Sequence, residues 1–223
     1  KFGASSALFD GTTDAVSIND NTTLETMLGA DFTLECFIKV NSGSGEIFNK
    51  FKTGSYDVLR VYQVGANIQV LMTTTGTSWT MNVTTSGLTA VNDGSWHHVA
   101  VVRSGTTVTI YVDGTAYGTT GTVSGALDNT TGAWGIGGIW DGSAVEVNYS
   151  VNGWIDEVRF SDVARYTGTF TPTTSVFDTV AMTLISEPQV ALTAPDTAQV
   201  TLFKEDVDAL TLNTDLIAWV SRS

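Results

Sequence analysis

The stretch Trp96–Gly114, WHHVAVVRSGTTVTIYVDG, constrains the fold more than any other part of the chain. Val99 and Val101 alternate along one run, and Val108, Ile110 and Val112 along the next, so each run shows one apolar face at the two-residue period of a strand. Ser104-Gly105 separates the two runs. Asp113-Gly114 is the pair best suited to the positive φ angles of a tight hairpin turn, so a third strand is predicted to begin near Thr115. Successive antiparallel strands joined this tightly commit the chain to sheet architecture.

The same texture recurs in FTLECFIKV (32–40), DVLRVYQ (57–63), NIQVLMTTT (67–75) and WIDEVRF (154–160), with Gly, Asn and Asp between them. Twenty-two glycines and abundant Thr, Asn and Ser disfavour long helices; one short helical turn is expected near Thr23–Met27. Pro172, Pro188 and Pro195 are the only prolines and all fall late, which places a boundary near Phe177. Residues 1–177 are read as one β-sandwich. Residues 178–223 are read as a short β-rich C-terminal segment that either completes the sandwich or opens a second module.

Twenty-three acidic residues against 10 basic ones give a net charge of −13, which repels phosphate backbones and anionic lipid and so excludes nucleic-acid and membrane partners. No apolar run approaches the roughly 18 residues that span a bilayer. Cys36 is the only cysteine, so no intrachain disulfide forms, and its apolar surroundings predict a buried thiol.

Four ordered blocks, ALFDGTTDAVSI (7–18), FTLECFIKV, SWHHVAVVRSGTTVTIYVDGTAYGT (95–119) and GWIDEVRFSDVARYTGTFTP (153–172), resemble laminin-G-like jelly-roll domains of the concanavalin A-like type. The resemblance covers Ala7 to Pro172 and implies an all-β, antiparallel jelly-roll β-sandwich. VARYTGTFTP is similar to the versions of this domain in bacteriophage virion proteins. That similarity implies a non-catalytic structural or adhesion module on a virion surface, on a tail fibre or a head. Its expected partners are other virion proteins and a cell-surface glycan, within a homo-oligomer or larger assembly. A carbohydrate-binding or adhesion module of a secreted bacterial protein is the alternative, and a glucanase-like hydrolase a further one.

Glycoside hydrolysis needs two carboxylates facing one cleft. Asp156 and Glu157 are adjacent, so on a regular strand they point to opposite faces, and Glu146 has no acidic partner two or four positions away. His97 and His98 stand side by side; one is expected to pack inward and the other to meet solvent, and with one cysteine in the chain they lack the ligands of a zinc site. The glycines of GIGGI (135–139) lack the ending of a phosphate cradle and read as close strand packing.

Sugar binding needs aromatic platforms beside polar groups. Trp140, Asp141, Asn148 and Tyr149, in IWDGSAVEVNYS (139–150), meet that description. The competing reading is that Trp134 and Trp140 cover a sandwich edge or a subunit interface. Trp96 and Trp154 open strands and are expected in the core. The resemblance also implies a structural Ca²⁺ that ties an early loop to a late strand through Asp10, Asp14 and Asp156. Turn capping by Asp10 and backbone hydrogen bonds to Asp156 form the competing account.

Overall fold

The computed structural model describes residues 1–2, 5–20, 22–51, 56–128, 131–140, 145–146 and 149–177; the β-rich segment expected over 178–223 lies outside them. The chain divides into two units, Lys1–Asp178 and Thr179–Ser223. In the first unit the order is β1 (Ala7–Asp10), β2 (Val16–Ile18), α1 (Thr22–Thr26) with a 3₁₀ turn at Met27–Gly29, β3 (Phe32–Val40), β4 (Ser44–Lys50), β5 (Leu59–Val64) and β6 (Asn67–Met72). There follow β7 (Met81–Thr84), β8 (Trp96–Ser104), β9 (Thr107–Val112), β10 (Thr115–Ala116), β11 (Gly121–Thr122), β12 (Trp134–Ile136) and β13 (Asn152–Ser161). One antiparallel sheet runs β1-β13-β3-β8-β9-β10, with β11 also on β9; the other runs β2-β12-β4-β5-β6-β7. This is the all-β sandwich expected from the alternating runs.

The predicted apolar faces meet between the sheets. Leu34, Cys36 and Ile38 of β3, Val99 and Val101 of β8, and Val108 and Ile110 of β9 belong to one buried cluster with Ile47, Phe48, Val61 and Val70 of the second sheet. Burial there pushes the Cys36 thiol up. Asp113 and Gly114 take φ values of 49° and 78° in the β9–β10 turn, as the hairpin requires. Trp134 is fully buried and does not cover an edge or interface, because β12 lies between β2 and β4.

The outer face of the first sheet is covered too, by a strap formed from residues 162–177. Ala100, Val102 and Tyr111 pack there against Ala164, Tyr166 and Phe170, and the Tyr166 and Phe170 rings stack at 3.6 Å. Polar contacts pin the strap: Thr33 Oγ1 donates to the Val163 carbonyl (2.8 Å), Arg165 N–H to Thr33 Oγ1 (3.0 Å) and Phe170 N–H to the Gly114 carbonyl (2.9 Å). The second histidine, His98, is therefore buried beneath the strap, while His97 sits partly exposed.

Two expectations about side-chain direction fail. The β3–β13 register slips between Asp156 and Arg159, and Glu157 takes φ 51°, in the left-handed region. This bulge breaks the alternation, so Asp156 and Glu157 do not oppose each other across the sheet. Asp156 accepts the Phe2 N–H (2.9 Å) and Glu157 the Phe177 N–H, and Phe2 and Phe177 both pack on the ring of Phe37. Trp96 and Trp154 are not core residues either. The register sets both opposite Lys39, on the outer face, and both are partly exposed.

Candidate functional site

The loop that follows β12 folds back along the second sheet. Glu146 N–H donates to the Ile139 carbonyl (2.9 Å), and Trp140 forms an antiparallel bridge with Val145. The chain then returns beside β4, where Glu46 N–H donates to the Tyr149 carbonyl (2.7 Å) and Val151 N–H to the Gly137 carbonyl (2.8 Å). Gly45 permits this approach, since a Cβ there would lie 2.6 Å from the Ser150 carbonyl oxygen. Gly138 does the same inside GIGGI, where a Cβ would meet the Asp14 carbonyl at 2.4 Å, in keeping with close packing.

Tyr149, 37% exposed, is thereby set over β5, with its ring centroid 5.2 Å from the Arg60 guanidinium. The Tyr62 ring lies 5.6 Å from the same group. Arg60 and Tyr62 share a face because they alternate with buried Leu59 and Val61. Glu46 faces Tyr62 across the β4–β5 pairing, and its Oε1 accepts Arg60 Nε at 2.7 Å; Asp57 lies 3.8 Å from that nitrogen. Glu46 is fully buried and its Oε2 has no partner among the described residues. Burial pushes its carboxyl up to about 8, against the pull of Arg60. The result is one guanidinium within reach of two phenol rings and bonded to a buried acid.

The sequence model of the concanavalin A-like lectin/glucanases superfamily matches residues 10–167. The chain belongs to that superfamily. Among solved structures, the sialidase CBM40 of Ruminococcus gnavus, bound to α2,3-sialyllactose, gives a TM-score of 0.57 at 13% identity over 74% of this chain and 92% of that one. The laminin alpha1 LG4-5 domains of mouse give 0.51 at 16% identity, over 75% and 46%. A putative carbohydrate binding protein from Bacteroides ovatus gives 0.50 at 18% identity, over 71% and 44%. The chain thus spans less than half of the last two, and at these identities the likeness is one of fold. No curated protein matches this sequence.

Of the four sugar-site residues expected in this lectin/glucanase-type domain, Trp140 and Tyr149 fall on the loop just described, and Asp141 and Asn148 lie outside the described residues. The three expected calcium ligands do not come together. Asp10 accepts the Thr12 and Thr13 N–H groups (2.7 and 2.8 Å) and both hydroxyls, which holds its carboxyl well below the usual range, and Asp14 accepts the Asp10 N–H (2.9 Å). Asp10 pairs with Asn152, so Asp156 is four residues further along β13, roughly 13 Å away. Asp156 already serves the Phe2 and Glu157 N–H groups. These carboxylates do not fit one Ca²⁺ cage, and no other metal-binding cluster occurs among the described residues. No helix there is long and apolar enough to cross a membrane.

Glu46, Asp57, Arg60 and Tyr62 were not expected at the site. Arg60 and Tyr62 had a signal in DVLRVYQ, where they alternate with Leu59 and Val61 and so mark a second face; Glu46 lies outside that run and Asp57 is out of phase with the pair.

Proposed function

We propose that this domain is a non-catalytic glycan-binding adhesion module whose ligand rests on Tyr149 and Arg60. The observation that carries the reading is the Tyr149–Arg60–Tyr62 layer, with ring-to-guanidinium distances of 5.2 and 5.6 Å above buried Glu46. A pyranose has an apolar face and a rim of hydroxyls, and an exposed ring beside a fixed cationic donor answers both. Trp140, which precedes Tyr149 in the chain, is partly exposed as well. The superfamily match and the sugar-bound CBM40 fold relative lend support at the level of fold.

A hydrolase reading would cast Glu46 as general acid, since its carboxyl is raised to about 8. Its full burial and its bond to Arg60 argue against that role, because a glycosidic oxygen must reach the acid. The setting we propose is a virion surface, on the similarity of the 163–172 block, with a secreted bacterial protein as the alternative. Mass spectrometry of purified particles tests the setting: the chain is expected among virion proteins, and its absence refutes that placement. Isothermal titration tests the site. For a glycan the full chain binds, Tyr149→Ala is expected to weaken binding about tenfold, and unchanged affinity would refute the assignment.

A further inference from the structure

On the outer face of the first sheet the register sets Leu8, Trp154, Lys39 and Trp96 in one row, across β1, β13, β3 and β8. The strap's aromatic contacts fall on Phe37, His98 and Tyr111, in the rows beyond. This row stays partly open, and Leu8 is 62% exposed. Trp154 and Trp96 are carried by strands two places apart, a backbone spacing of roughly 10 Å, about the length of two linked pyranose rings. Between them the Lys39 ammonium lies 5.4 Å from the Trp154 ring centroid and has no carboxylate partner among the described residues. Among the described residues Lys50, Arg60, Arg159 and Arg165 each find a carboxylate, whereas Lys39 lies against an indole. Asn152, two residues before Trp154 on the same strand, is exposed and adds a hydrogen-bonding group.

We propose that this row is a second binding platform, for a linear acidic polysaccharide of uronate sugars. The indoles stack on alternate pyranose rings and the Lys39 ammonium pairs with a carboxylate between them. A purely apolar protein contact would not need the unpaired charge, and a neutral glucan would not use it. The platform is remote in the fold from Tyr149, on the other sheet, and does not depend on that site.

The test is affinity electrophoresis of the full chain in gels holding polygalacturonate, dextran sulfate or neutral hydroxyethylcellulose, with Trp154→Thr and Lys39→Gln beside the wild type. Polygalacturonate is expected to retard the wild type despite the net negative charge, with the apparent Kd raised about tenfold in each variant, and added salt should weaken it. Both variants change partly exposed side chains, and their melting curves report folding; if Trp154→Thr does not fold, Lys39→Gln carries the test. Three results overturn the proposal: no retardation by polygalacturonate, equal retardation of wild type and Lys39→Gln, or stronger retardation by dextran sulfate or the neutral polymer than by polygalacturonate. Retardation lost in Tyr149→Ala but kept in Lys39→Gln would assign polyuronate to the other site.

Discussion

His98 Nε2 lies 3.0 Å from Glu35 Oε2, in a pair sealed between the first sheet and the strap. Glu35 also accepts the Tyr166 hydroxyl (2.8 Å) and Arg159 Nε (2.8 Å), so one carboxylate ties β3, β8, β13 and the strap together. Burial alone would raise the Glu35 carboxyl; the bonds from His98, Tyr166 and Arg159 outweigh it and hold the group below its ordinary value. A depressed carboxyl stabilises the fold above its unfolded pKa, about 4.3, and that stabilisation is lost as pH falls through the folded value. Glu35→Ala is therefore expected to cost about 3–5 kcal/mol in urea unfolding at neutral pH and to shrink the loss of stability in acid. A cost below about 1 kcal/mol would mean the network contributes no more than a surface ion pair.

His97 shows the opposite pH dependence. Its Nδ1 lies 2.7 Å from Asp113 and its Nε2 3.1 Å from Asp93, joining the β9–β10 turn to the loop before β8. The Asp113 bond raises the His97 pKa most, burial opposes it, and Asp93 adds to the rise. This stabilisation is full below the unfolded histidine pKa, about 6.5, and is lost as pH rises through the folded value. Melting temperature measured from pH 6 to 9 should fall in the wild type relative to His97→Gln; parallel curves would dismiss the clamp.

Gly114 and Gly105 separate two reasons for a glycine. Both have positive φ, 78° and 59°, but a Cβ on Gly114 would lie 1.8 Å from the Phe170 carbonyl oxygen, whereas one on Gly105 meets nothing within 4 Å. Gly105→Ala is expected to cost about 1 kcal/mol for backbone strain alone. Gly114→Ala must also push the strap off the turn, so its cost in urea unfolding should be clearly greater. Equal costs would show that the strap gives way freely.

Much of the sandwich was legible because alternation is a direct record of one buried face: Val99 and Val101, or Val108 and Ile110, point where the period says. The strap was not. Residues 162–177 carry no period, since they cover the sheet with single rings, Tyr166 and Phe170, held by scattered backbone bonds. Their presence buries β3 on both faces, and a strand of that kind gives no signal of which side is the core. That is why the strand-opening positions of Trp96 and Trp154 read as inward-facing in the sequence. Glu157 misled for a local reason, as one left-handed residue resets the alternation after it. At the candidate site, Tyr149 was legible as a loop aromatic, but the Arg60–Glu46 pair beneath it depends on β4–β5 register, which composition does not record.

The proposed glycan-binding surface is built on Tyr149 and Arg60. A glycan array probed with the full chain and with Tyr149→Ala reads that surface. Saturable binding of the wild type to a defined set of glycans, lost in Tyr149→Ala while its melting temperature is kept, is the predicted result. An array on which the wild type binds no glycan, or on which both proteins bind alike, would contradict it.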